Sequence, residues 1–151
     1  MPQMQVARTI NASPEIVFRT VSDIRQMAKA LPHVVGYEFL TEPNIGKGTR
    51  FRETRMMEKE NGKVHVTELE ITEYVEPERV RMVADNHGTI WDTVFTVAST
   101  DDATILTINM NAKAYKLFPR LINPLIKGMI TRAMEKDIDL IKEYCEQNQN
   151  G

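Results

Sequence analysis

Residues 124–145 read PLIKGMITRAMEKDIDLIKEYC and predict one long helix near the end of the chain. Asn123 and Pro124 mark its start, because asparagine caps free helix N–H groups and proline fits the first helical turn. Apolar residues recur along this segment at helical spacing and cover a broad face. So broad a face needs a large apolar surface against it, and a strongly curved sheet would provide one.

The chain before this helix is predicted to be mostly strands separated by short turns. Residues 3–12 form the first strand, and Ser13-Pro14-Glu15 then starts two short helices that end before Pro32. Further strands are predicted at residues 34–42, 49–58, 63–75, 80–84, 90–97 and 104–112. Strands at this spacing with short turns, among them Asn61-Gly62, are typical of an antiparallel meander. We therefore expect an α+β fold whose curved antiparallel sheet of six to seven strands wraps around the long helix.

Composition limits the classes of protein to which the chain can belong. The 151 residues suit one domain, 1–151, in which we expect the polar tail 146–151 to be frayed. The net charge of −2 argues against a nucleic-acid partner. No segment approaches the ~20 apolar residues that cross a bilayer, so stable membrane insertion is not expected. With one cysteine, Cys145, and no apolar run of signal-peptide length at the start, we expect a cytoplasmic protein.

Four segments resemble the START-like (SRPBCC) superfamily of polyketide cyclase/dehydrase-like, lipid-transport-like and birch-pollen-allergen-like proteins. They are residues 10–23 (INASPEIVFRTVSD), 46–55 (GKGTRFRETR), 70–80 (EITEYVEPERV) and 137–142 (DIDLIK), in the family's order. The resemblance implies a helix-grip fold with two short helices after the first strand. It also implies a cavity between the concave sheet and the long helix. Members of the superfamily include ligand carriers, ring-closing or dehydrating enzymes and partner-binding modules.

On that fold, strand alternation selects the side chains that would line the cavity. The predicted ligand-binding residues are Arg8, Tyr37, Phe39, Phe51, Glu53, Arg55, Ile71, Met82, Trp91, Thr93, Phe95, Leu106, Ile108, Met110, Leu125, Met129, Ala133 and Asp137. Most are apolar or aromatic, as in small-molecule pockets. The same pattern also describes a filled core, so a collapsed cavity is the alternative.

Four charged residues interrupt this apolar lining. Arg8, Glu53 and Arg55 lie on the inward side of strands, and Asp137 lies inside the apolar face of the long helix. Buried charges are costly unless they are paired, so an Arg–Glu pair or exposure at the rim is the favoured interpretation. The alternative is a polar anchor, in which a free arginine holds a ligand carboxylate or phenolate.

No metal or cofactor site is predicted. The histidines His33, His65 and His87 are far apart in sequence, and one cysteine cannot supply a zinc cluster. We expect all three histidines to be solvated at the surface. No nucleophile elbow and no nucleotide-binding glycine loop occurs, so no cofactor is expected.

Three functions remain open. The favoured one is binding or transport of a small hydrophobic molecule of lipid, polyketide or aromatic type, by a monomer or homodimer. A cyclase- or dehydratase-like enzyme is the second, and it predicts that Arg8, Glu53, Arg55 and Asp137 converge on one wall with perturbed ionisation. The third is an interaction module with a vestigial cavity, such as a carbon-monoxide-dehydrogenase G-like accessory subunit, whose partner surface is the region of residues 118–122 or an exposed strand edge. The absence of a strong catalytic motif makes a non-enzyme the favoured interpretation.

Overall fold

Seven strands form one antiparallel sheet in a computed structural model, which describes residues 3–57, 61–86, 88–115 and 124–149. The elements are β1 (Gln3–Ile10), α1 (Pro14–Ser22), α2 (Ile24–Ala30), β2 (Val34–Phe39), β3 (Arg50–Met57), β4 (Lys63–Val75), β5 (Arg79–Asn86), β6 (Thr89–Ser99), β7 (Thr104–Ala114) and α3 (Pro124–Gln147). The strand order is β1-β7-β6-β5-β4-β3-β2, which places β1 and β2 at the two edges. The predicted α+β helix-grip architecture is confirmed. The long helix ends at Gln147, two residues beyond the predicted Cys145.

Local sequence explains how the two short helices begin. Ser13 accepts a hydrogen bond from the Ile16 N–H at 3.2 Å, and Pro14 occupies the first turn of α1. Asp23 caps α2 by accepting from the Arg25 N–H at 3.0 Å. These side chains satisfy helix N–H groups that have no partner within the helix.

Turns and bulges fix the register of the sheet. Asn61 and Gly62 both adopt positive φ, 58° and 75°, at the hairpin that leads into β4. In β4 the register shifts between Ile71 and Glu73, which is the signature of a bulge. The extra residue turns Tyr74 toward the concave side, where its ring packs edge-on against Phe18 at 5.2 Å.

The main core lies beneath the C-terminal half of α3. Met134, Ile138, Ile141 and Cys145 are buried there. They belong to one cluster with buried residues of α1, α2 and the concave face, among them Val17, Phe18, Val21, Ile10, Phe51, Ile71, Val80, Phe95, Val97 and Leu106. We call this region the closed end of the molecule. None of the helices in the described residues is long and apolar enough to cross a membrane.

Candidate functional site

The concave face is sealed at one end and open at the other. Along β7, Leu106 and Ile108 are buried, whereas Met110 is half-buried. Along β6, Phe95 is likewise buried, whereas Thr93 and Trp91 are half-buried. Trp91, Thr93 and Met110 are thus less buried than Phe95, Leu106 and Ile108, although their cross-strand neighbours Met4, Ala84 and Ala112 are buried. We call the region around Trp91, Thr93 and Met110 the open end.

Small side chains flank Trp91 in this region. Its cross-strand partners are Ala84 on β5 and Ala112 on β7. Thr93, two residues along the same face, pairs with Met82 and Met110. An alanine on each side of a large indole leaves space above the sheet that a leucine or phenylalanine would fill. Both alanines are buried, so the half-buried indole is the large side chain of this part of the concave face.

Most of the predicted lining residues on the strands lie on the concave face, but they divide between the two ends. Fully buried members pack in the core of the closed end: Phe51, Ile71, Met82, Phe95, Leu106 and Ile108. Phe39 packs against that core from the edge strand and lies under the Arg25 guanidinium at 5.3 Å. Tyr37, on the same strand, is 45% exposed.

The predicted residues of α3 lie mostly on its solvent side. Leu125 and Met129 are 72% and 56% exposed, and Ala133 is exposed as well. At 100° per residue, Leu125 and Ala133 lie about 140° around the axis from buried Ile138. A broad apolar face on a helical wheel does not reveal which part of it meets the sheet. On the side that does meet the sheet, Ile130 is half-buried and continues toward the open end.

Three of the four predicted charged residues form one cluster that joins the sheet to α3. Arg55 donates through Nε to Glu53 Oε1 and through Nη1 to Asp137 Oδ2, the latter at 2.8 Å. His33, at the junction of α2 and β2, places Nε2 at 3.0 Å from Asp137 Oδ1. The side chains of Glu53, Asp137, His33 and Arg55 are 12%, 18%, 19% and 27% exposed. The charge cluster is therefore mostly buried yet reachable by solvent.

The ionisation of two members of this charge cluster, Asp137 and Arg55, is shifted toward their charged forms. Burial opposes ionisation of Asp137, but hydrogen bonds from His33 and Arg55 and the charge of Arg55 outweigh burial and hold the pKa of Asp137 below its usual value. Burial also disfavours the charged form of Arg55, yet the attraction of Glu53 and Asp137 raises the pKa of that guanidinium. Neither group therefore exchanges protons near neutral pH, as a general acid or base would. The geometry is that of a paired anchor.

Arg8 does not join this charge cluster. It donates to Asp139 Oδ1 at 2.7 Å and approaches Glu135 at 3.8 Å, on the opposite side of α3. Asp137 thus binds Arg55 of β3, and Asp139 binds Arg8 of the edge strand β1. The two ion pairs hold α3 from both flanks.

His33 corrects the expectation that the histidines are solvated at the surface. Its ring is mostly enclosed because the turn after α2 directs it toward Asp137. His65 is half-buried, and His87 lies outside the described residues, as do residues 118–122 and Asn123. Cys145 is buried, and burial raises the pKa of its thiol. Within the described ranges, no three histidine, cysteine or acidic side chains are grouped closely enough to hold a metal ion.

The convex face of the sheet carries charged pairs of a different kind. An open depression of about 820 Å³ there is lined by Arg50, Glu68, Glu70, Asp85 and Tyr115 among others. Arg50 pairs with Glu68, and Tyr115 donates to Asp85 at 2.7 Å. This depression is open and carries several charged side chains, so it is a weaker candidate for an apolar ligand than the concave face around Trp91.

The family model for polyketide cyclase / dehydrase and lipid transport proteins matches residues 1–146. The chain belongs to this family. A sequence comparison with curated proteins gave no match.

Solved structures share the fold of this polyketide cyclase and lipid-transport family chain at low identity. A START superfamily protein from Mycobacterium smegmatis is 18% identical with a TM-score of 0.78, over 96% of this chain and 97% of that one. Ara h 8.0201 is 14% identical with a TM-score of 0.76, over 97% and 98%. The di-domain ARO/CYC StfQ of the steffimycin biosynthetic pathway is 11% identical with a TM-score of 0.75, over 97% of this chain and 51% of StfQ. The START-like resemblance is confirmed, and family and fold together support a hydrophobic ligand-binding or polyketide cyclase-like role.

Proposed function

We propose that this chain binds a small hydrophobic molecule in a cavity at the open end, between the concave sheet and the N-terminal half of α3. The observation that carries the proposal is that Trp91, Thr93 and Met110 are only half-buried, whereas Phe95 and Ile108 on the same face are buried. Apolar surface left in water costs roughly 25 cal/mol per Å², so an apolar ligand that covers the half-buried Trp91 and Met110 would be stabilised.

The chemistry of the open end suits an apolar or aromatic ligand. Trp91 supplies a flat ring, Met110 a flexible thioether that adapts to ligand shape, and Thr93 one hydroxyl. The charge cluster of Glu53, Arg55, Asp137 and His33 supplies the polar side chains that would orient a ligand. Few polar groups in an apolar wall are the usual composition of a small-molecule site.

Native mass spectrometry of the purified chain, with organic extraction of what it carries, tests the proposal. A bound apolar molecule that leaves on extraction is the expected result. If the chain is obtained free of ligand, the neutral probe N-phenyl-1-naphthylamine is titrated, and Trp91 reports its binding because it is the only tryptophan. No probe binding and no extracted molecule would contradict the proposal.

A cyclase- or dehydratase-like reaction is the second candidate, favoured by the contact of 3.0 Å between His33 and Asp137. An imidazole held by a carboxylate is a suitable general base, provided that its other nitrogen reaches the substrate. Loss of one water from a β-hydroxy ketone, followed by mass spectrometry, tests this activity. His33→Ala should abolish the reaction and leave probe binding intact. Equal rates with and without the protein would exclude this activity for that substrate class.

A further inference from the structure

One carboxylate oxygen of Glu53 receives no hydrogen bond from any other residue that the structure describes. Its Oε1 accepts from Arg55 Nε, and both oxygens of Asp137 are engaged by Arg55 and His33. Within the described residues, Oε2 of Glu53 accepts no hydrogen bond, and it is not among the fully buried side-chain atoms that lack a partner. Among the described residues, Oε2 is therefore the one carboxylate oxygen of the charge cluster without a donor, on a side chain that is 12% exposed.

The charge cluster as a whole does not attract anions. Two carboxylates, Glu53 and Asp137, surround one guanidinium, Arg55, so the sum is −1 when His33 is neutral and zero when it is protonated. Arg55 is engaged by both carboxylates and is not the free arginine that would hold a ligand carboxylate. An incoming carboxylate would meet like charge in a poorly solvated site, which is costly.

One other cation must be considered on the inner side of α3. Lys127 lies within about 20° of Met134 and Ile138 around the helix axis. It is ten residues from Asp137, however, which is about 15 Å along the helix. At that separation an exposed ammonium is largely screened from the charge cluster by solvent and salt.

We propose that the cavity selects an apolar ligand whose polar head donates a hydrogen bond, a hydroxyl or an amine, to Glu53 Oε2, and that it disfavours ligands with a carboxylate head. This inference rests on the proposed function, because it names the ligand class of that same cavity. Thr67, the cross-strand neighbour of Glu53, is half-buried and supplies a hydroxyl that can accept from the same head group.

Three amphiphiles that share one tail test the head-group preference. Decanol, decylamine and decanoate are each titrated against the wild-type chain loaded with N-phenyl-1-naphthylamine, below their micelle-forming concentrations. Displacement gives the dissociation constants. Decanol and decylamine should bind at least about tenfold more tightly than decanoate, the factor given by one strong polar contact.

Two matched variants separate the head-group effect from net charge and from stability. Glu53→Gln removes the negative charge and should raise decanoate affinity about tenfold relative to decylamine. Glu68→Gln makes the same change in the Arg50–Glu68 pair on the convex face and should leave the ranking of the three amphiphiles unchanged. If Glu53→Gln does not fold, the ranking of the three amphiphiles by the wild-type chain still tests the head-group preference.

The possible outcomes distinguish this inference from the proposed function. Tightest binding of decanoate by the wild-type chain would overturn the head-group inference and leave the cavity in place. An equal shift in both variants would attribute the ranking to overall charge and overturn the role of Glu53. If the probe and all three amphiphiles fail to bind, the proposed function and this inference are both wrong.

Discussion

Single residues at the charge cluster determine how the fold responds to acid. The pKa of Asp137 is lower in the folded chain than its ordinary value of about 3.9, so the ionised carboxylate stabilises the fold above that value. The contribution is lost as the pH falls through the lower pKa of the folded chain. We expect Asp137→Asn to lower the free energy of unfolding by about 1–3 kcal/mol near neutral pH.

Urea denaturation at a series of pH values checks this expectation. The difference between wild type and Asp137→Asn should shrink as the pH falls from about 5 to about 3. Asp139→Asn is the matched control two residues along α3, where the carboxylate is 59% exposed. Its effect should be smaller at every pH. A gap between wild type and Asp137→Asn that stays constant down to about pH 3 would show that the charge of Asp137 does not stabilise the fold.

Trp91 and Phe95 share one face of β6 but lie at different ends of the molecule. Trp91→Ala should weaken binding of the naphthylamine probe by about tenfold or more and cost about 1–2 kcal/mol of stability, because the ring is only half-buried. Phe95→Ala should cost about 3–5 kcal/mol, as expected for a buried aromatic ring, with a smaller effect on affinity. Probe titration and urea denaturation of both variants provide the comparison. The opposite pattern would place Trp91 in the packed core.

Not every residue of the charge cluster is recognisable from the sequence alone. Alternation predicted that Glu53 and Arg55 face inward, and the helical wheel singled out Asp137 as a carboxylate within an apolar face. His33 was not predicted to join the cluster because it lies in a turn without any periodic pattern. Its partners, Arg55 and Asp137, are 22 and 104 positions away in sequence. Only the path of the chain between α2 and β2 brings it to the charge cluster.

At the scale of elements, two ion pairs of unequal strength hold α3 against the sheet. The partners of Arg55 are mostly buried, whereas Asp139 and Glu135, which pair with Arg8, are 59% and 47% exposed. Arg55→Met should lower the free energy of unfolding by about 3 kcal/mol because it leaves Glu53 and Asp137 without their cation. Arg8→Met should cost about 1 kcal/mol or less, since exposed pairs contribute little.

Chemical denaturation in low and high salt tests that contrast. Salt screens exposed pairs more than buried ones, so the small effect of Arg8→Met should fall further in high salt while that of Arg55→Met largely persists. Equal losses from both variants would mean that the exposure of the partner residues does not set the strength of these pairs.

Elements differ in how far their sequence determines them. The positions of the strands, and the face of the sheet on which their side chains lie, were predictable from the sequence. Apolar residues such as Phe51 show which alternate positions face inward, and turns such as Asn61-Gly62 mark where strands end. The bulge in β4 was not located, since the residue that becomes the bulge has no marker in the sequence. For α3 the apolar face was too broad to show that Leu125 and Met129 lie on the solvent side. Orientation of a helix about its axis is decided by partners distant in sequence.

At the scale of the whole molecule, the proposed function places stability and binding at different ends. The closed end buries α1, α2 and the C-terminal half of α3 in one core, and this core can hold the fold whatever occupies the open end. The open end retains accessible apolar surface that a fully packed domain would bury. A division of this kind leaves the open end free to differ between family members that share the fold, and it suits a family with several functions.

The same substitution at two positions of α3 tests this division. Ile138→Ala removes a fully buried side chain from the closed end and should cost about 2–5 kcal/mol of stability. Ile130→Ala, about two turns nearer the start of α3, removes a half-buried side chain and should cost about 1 kcal/mol. Probe affinity should respond in the reverse order, because Ile130 is on the half of α3 beside the proposed cavity, whereas Ile138 lies within the core. If both variants lose stability and affinity in the same proportion, the two ends form one cooperative core and the cavity is not separable from the fold.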